Sequence, residues 1–341
     1  MTLLGLVLGG LALGATVELP RGHTLASLRV RGMGGVCTAL AESATCQVRA
    51  PATVGIRRPE DDNAWGADTT IQAMALPVYQ QVFGGDDPVA PKPRVKMQVG
   101  ANLSMNRWAA GGHIRQDGFA GPDGNYLASQ FSTHLGLTGG TWAVGVAHMA
   151  LLWDTPGGGT LGWGGAGSAL WMPEDTGWRL GVAGTLPIRS GDVVQADWSA
   201  TRQPGRVSVG AGYTFGQRNV ARPKWPDRRF LNDDKSYLTV VTELELISGP
   251  GEAVDLDGAE GEGPSLQPRL GLEADVAKQL LRLRAGGYYE PPRFDNPLVP
   301  HVTAGAGVYL FTWLQGLRWR AAASLDWAPG EPSIGVGLET W

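Results

Sequence analysis

The sequence predicts an all-β protein, a transmembrane antiparallel β-barrel of about 14 strands closed over an N-terminal plug. Three observations point there. Apolar and polar residues alternate with period two through most of the chain after residue 95. Beyond the first residues, no stretch has the roughly 18 uninterrupted apolar residues of a helical membrane span. Gly is 51 of 341 residues, Trp is 13 and charged residues are only 18%, which departs from an average soluble domain. The glycines have no collagen period, and a hydrophobic content of 43% is too high for a disordered chain. A net charge of −4 provides no general basic surface, so no nucleic-acid partner is expected.

From the N-terminus, Leu3 to Ala15 is an apolar run ending in small residues, the pattern of a secretory leader without its usual basic start. The alternative is a buried N-terminal strand or helix. The expected division is a signal peptide over 1–17, a plug over 18–63 and a barrel over 64–341. Cys37 and Cys46 lie within the plug, either as a disulfide formed in an oxidising compartment or as two small unpaired residues in a packed segment.

In Val95 to Met105 the odd positions read Val, Met, Val, Ala, Leu, Met and the even ones Lys, Gln, Gly, Asn, Ser. One face suits lipid and the other does not. The same alternation predicts strands in Phe131 to Leu137, Trp142 to His148, Leu161 to Trp171, Trp178 to Ile188, Val194 to Ala200 and Val207 to Phe215. It continues in Leu238 to Leu246, Leu270 to Val276, Leu281 to Tyr289, Val302 to Leu310, Leu317 to Trp327 and Ile334 to Thr340. A weaker strand is expected within Thr69 to Phe83, where Pro77 demotes it to an edge or a bend. Ala109 to Tyr126 reads either as a further strand or as a long excursion beyond the wall. Turn residues such as Gly139-Gly140 and Gln203-Pro204-Gly205 separate the strands, and Trp recurs near strand ends as in an interfacial girdle.

The wet face is mostly Gly, Ala, Ser and Thr, as in a wall packed on a plug or lining a narrow lumen. With Ala277-Lys278 as a turn, Glu273 is expected opposite Arg282; Arg284, Arg318 and Arg320 share that inward parity, as do Asp275 and Asp326. These arginines are either a structural clamp or a docking point for an anionic headgroup, with Arg284 and one of Arg318 and Arg320 the expected surplus charge. Ser248 to Gln267 is acidic and Gln217 to Lys235 is basic, which places two charged loops at opposite rims. No nucleophile elbow, metal-ligand spacing or phosphate loop is present in the sequence, so no enzyme, metal or cofactor is expected.

Leu28 to Ala52, LRVRGMGGVCTALAESATCQVRAPA, resembles the N-terminal plug, or hatch, of the FadL-type outer-membrane transporters, where an R-x-M-G-G-A-x-x-A-L-A-D-D-A-S segment precedes Asn-Pro-Ala. The likeness runs through Arg31, Met33, Gly34, Gly35, Ala39, Leu40, Ala41, Glu42, Ala44, Pro51 and Ala52, with Gly32 also assigned to the plug, and extends to LRLRAGGYYEPPR at Leu281 to Arg293. Ala50 stands where the family has Asn. What the resemblance implies is a bacterial outer-membrane barrel that passes long-chain fatty acids or other hydrophobic molecules without ATP. Its implied partners are membrane lipid, a hydrophobic ligand and the barrel-assembly machinery. Two other readings stand beside it: a PorV-like docking or shuttle barrel for secreted proteins, and a closed structural barrel.

Overall fold

A computed structural model describes residues 27–40, 46, 48–56, 65–76, 94–105, 107–121, 124–155, 158–173, 176–190, 202–216, 236–248, 263–277, 280–290, 298–313, 317–329 and 332–340. The leader, the strand expected at Val194 to Ala200 and most of the acidic and basic loops lie outside them. A short helix α1 (Leu28–Gly32) and a 3-10 turn (Pro51–Gly55) belong to the plug. The strands are β1 (Trp65–Leu76), β2 (Arg94–Met105), β3 (Trp108–Gly121), β4 (Gly124–Thr138), β5 (Trp142–Thr155), β6 (Gly158–Trp171), β7 (Trp178–Thr185) and β8 (Ile188–Ser190). They continue as β9 (Arg202–Gln203), β10 (Arg206–Phe215), β11 (Leu238–Ile247), β12 (Ser265–Asp275), β13 (Leu281–Glu290), β14 (Val299–Trp313), β15 (Leu317–Trp327) and β16 (Ser333–Thr340).

Each long strand pairs antiparallel with its neighbour, β1 pairs with β16, and β7 pairs directly with β10, so 14 long strands close into a barrel. Closure leaves the 14 long strands without a free sheet edge, which a membrane requires. The two-residue β9 and three-residue β8 extend the β7–β10 seam past Pro187 and Pro204, neither of which can donate to the ladder.

The expected count of 14 strands holds, and the structure adds detail on their membership. Of the two readings of Ala109 to Tyr126 the strand holds: Ala109 to Gly121 is wall, paired with β2 as far as Gly118 and with β4 as far as Gly121, and Gly124 to Tyr126 begin β4. Between β7 and β10 the ladder is direct, with Arg206 paired with Thr185, and the strand expected at Val194 to Ala200 lies outside the described residues. The register at the β12–β13 turn is corrected: Glu273 faces Arg284 and Asp275 faces Arg282. The connection is wider than Ala277-Lys278, with Val276 N–H donating to the Leu281 carbonyl. A two-residue slip keeps every side chain on its expected face while changing its partner. The C-terminal strand β16 pairs with β15 without a shift through Thr340.

Outward positions carry the large apolar residues, among them Met97, Leu103, Trp108, Leu135, Val146, Trp163 and Trp178, all exposed. Inward positions carry buried polar and charged ones. This is a protein turned inside out relative to a soluble sandwich, and it suits a hydrocarbon solvent.

Candidate functional site: the plugged lumen

The plug lies against the inner wall through glycine-on-glycine contacts. Ser27 Oγ caps α1 by accepting from Val30 N–H at 3.2 Å. The chain then turns at Gly34 and Gly35, with φ of 69° and 80°. A Cβ on Gly34 would lie 2.6 Å from both Gly287 N and the Leu270 carbonyl, and one on Gly32 would lie 3.1 Å from Gly305 Cα. Thr303 Oγ1 donates to the Gly32 carbonyl at 3.1 Å. The Arg-Gly-Met-Gly-Gly run is therefore a device for close backbone approach. Cys37 and Cys46 are placed as a disulfide pair, with Cα atoms 5.5 Å apart.

Charged clamps hold the same segment. Toward the rim that carries the C-terminus, Arg29 donates twice to Glu273 at 2.6 Å, and Glu273 also accepts from Arg284 at 2.8 Å and from the Tyr237 hydroxyl at 3.0 Å. Arg284 reaches Glu339 at 3.0 Å. A second clamp centres on Glu243, which accepts from the backbone N–H groups of Cys37 and Thr38 at 2.6 Å each and from Arg269 at 2.9 Å. Arg49 of the plug pairs with Glu245 at 2.6 Å, and Arg269 also pairs with Glu245. Arg31 donates to Ser333 Oγ. Nearby, His301 lies between Asp326 at 2.7 Å and Glu290 at 2.9 Å. Burial lowers the pKa of Arg29 and Arg31, opposed by Glu273 in the first case and Asp326 in the second. Each pair is shielded from water, so losing one partner matters far more than at a surface.

The expected ligand arginines fall into this network. Arg284 has two carboxylates and so is not the surplus charge; Arg282 lies 3.7 Å from Asp275 and over the Tyr237 ring at 5.6 Å. Arg320 is buried on β15 opposite Glu339, and Arg318 sits two residues earlier on that strand. Sequence reasoning missed Arg29, Arg49, Glu243, Glu245 and Arg269. Inward parity marks the three wall residues among them, but only the plug explains why their charges are needed.

A different sector of the lumen is apolar. On β5, Ala143, Ala147, Met149 and Leu151 face inward and are buried; on β6 and β8 so are Ala166, Leu170 and Ile188. Register aligns Met149 with Gly164 and Leu151 with Gly162, so the greasy side chains form a track along the wall. The 3-10 turn sits across its lower half. Ala52 packs with Ala143, Leu170 and Met172, and Ala52 N–H donates to Ser168 Oγ at 2.6 Å. Gly145 leaves room for the Pro51 backbone, and Gly136 for Val54. Pro51 begins this turn, where its missing N–H needs no partner.

No protein-family profile and no curated protein matches this chain in sequence. Its fold is similar to the CymD monoaromatic hydrocarbon channel, with a TM-score of 0.57 over 94% of this chain and 97% of that one, at 10% identity. A looser likeness, with a TM-score of 0.38 over 83% of this chain and 90% of that one at 11% identity, is to the translocator domain of autotransporter NalP from Neisseria meningitidis. At such identities the likeness is one of fold.

Proposed function

We propose that this chain is a FadL-type barrel of the bacterial outer membrane through which small hydrophobic molecules cross passively, with residues 28–56 as its hatch. The observation that carries the reading is the inward apolar track of Ala147, Met149, Leu151, Ala166 and Ile188, obstructed lower down by the 3-10 turn at Pro51–Gly55. An apolar path with few polar groups is what a hydrophobic solute needs, and a short turn that carries no charged side chain and packs through small apolar contacts is easier to displace than the ion-paired α1. The leader would direct export, the apolar outer wall would meet lipid, and the assembly machinery would insert the barrel. The fold shared with a hydrocarbon channel supports the same reading. Hydrophobic solutes without a charge fit better than fatty acids, because Arg282 and Arg284 already face wall carboxylates.

The clamps at Glu273 and Glu243 favour a second reading, a closed structural barrel. Uptake of radiolabelled toluene by cells of intact outer membrane separates the two. Expression of the protein should raise uptake, and Met149→Asn with Leu151→Asn should lower it at least fivefold at equal barrel abundance. Uptake equal to that of cells lacking the protein would leave the closed barrel as the better reading.

A further inference from the structure

Beside the apolar track the wall carries a row of buried polar side chains that none of the contacts above uses. Register places Thr70 opposite Gly100, Gly100 opposite His113, His113 opposite Ser132, and Ser132 opposite Met149. One row therefore runs from hydroxyl to imidazole to hydroxyl to thioether around the inner wall. Gly100 lets the first two lean together, since a Cβ there would lie 2.9 Å from His113 Cδ2 and 3.1 Å from Thr70 Cγ2. Asn102 sits in the neighbouring row, its amide lying over Gly111. Thr70, Asn102 and His113 are each at most 6% exposed. Yet Thr70 Oγ1, both polar atoms of the Asn102 amide and His113 Nδ1 make no hydrogen bond to any described residue. Buried polar atoms are normally satisfied, so several such atoms on adjacent strands mark a place where a partner arrives.

We propose that this row is a recognition site for the polar head of an apolar solute, and that the head is a neutral hydroxyl, as in a phenol or an alcohol. The proposal rests on the passive-channel reading and names its solute class. An amide, a hydroxyl and an imidazole both donate and accept, which matches a hydroxyl and wastes half its capacity on a carboxylate. Asp68 is the register partner of Asn102, so an anionic head would meet a like charge. Arg115, one row toward the other rim from His113, opposes a cationic head in the same way. The body of the solute would lie on Met149 and Leu151, on the strand beside Ser132 and Gln130. Apolar lining with a few convergent polar groups is the usual composition of a small-molecule site.

Two probes of equal body test this, 4-fluorophenol and fluorobenzene, titrated into detergent-solubilised full-length protein and followed by fluorine NMR against protein-free micelles. Wild-type protein should bind 4-fluorophenol at least tenfold more tightly than fluorobenzene. Asn102→Leu with His113→Leu should bring the ratio within twofold and leave fluorobenzene affinity unchanged. Thr70→Val, which keeps shape and removes only a hydroxyl, should lower the ratio by itself and covers the case in which the double variant fails to fold. Equal affinity for both probes in wild-type protein, or an unchanged ratio in folded variants, would overturn the proposal and spare the channel reading. Absence of fluorobenzene binding would instead remove the reading on which the proposal rests.

Discussion

Replacing Glu273 with Gln should loosen the plug without opening the wall. The carboxylate accepts four hydrogen bonds, two from Arg29 of the plug, one from Arg284 and one from Tyr237. Removing one partner from a buried ion pair costs about 3–5 kcal/mol. Half of the bonds go to the plug, so about 2 kcal/mol of that loss falls on docking, which is roughly a 30-fold rise in the undocked population. Arg284 keeps Glu339, and β12 and β13 keep their ladder, so the wall persists. Trypsin reads the change, because Arg29 and Arg31 are buried while the plug is docked and cleavage follows the open population when reclosing is fast. Cleavage at these two arginines should accelerate on the order of 30-fold in Glu273→Gln. Glu339→Gln, which disturbs a wall-to-wall pair, should leave that rate near wild type. A Glu273→Gln rate within about twofold of wild type, in protein that still migrates as a folded barrel, would refute the assignment of the clamp to plug docking.

Arg284→Ala should destabilise the barrel by about 3–5 kcal/mol, since it strands Glu339 and half-strands Glu273, whereas Arg282→Ala should cost about 1 kcal/mol for a looser pair and a ring contact. Gel-mobility melting orders the two, and the reverse order would contradict the register. Gly34→Val should expose the plug to trypsin at least as much as Glu273→Gln does, because a β-branched residue at φ 69° is strained and its Cβ meets wall backbone at 2.6 Å. Gly263→Val, with nothing within 4 Å, should behave as wild type.

Barrel class and most strands were legible because lipid imposes a rule that acts residue by residue: an outward side chain must be apolar, whatever its neighbours. Val95 to Met105 obeys it throughout, whereas β3 is harder to read because between and beyond the outward Trp108 and Ile114 its outward positions Ala110, Gly112 and Gln116 offer little apolar signal. Ladder partners, not hydrophobicity, hold Ala109 to Gly121 in the wall. Parity likewise put Glu273, Arg282 and Arg284 inside, since face depends only on odd or even position. Which carboxylate meets which arginine depends on the turn at 276–280, whose geometry a local pattern does not encode. The Arg-Gly-Met-Gly-Gly run announced close approach, but not the surface approached, Gly287, Leu270 and Gly305. Contacts spanning hundreds of residues, such as Arg29 with Glu273, exist only once closure brings β12 over the plug. The apolar track and the polar row beside it have the same origin. Met149, Gly164, His113 and Thr70 are unremarkable one at a time, and they become a surface only when register lines up strands from separate parts of the chain.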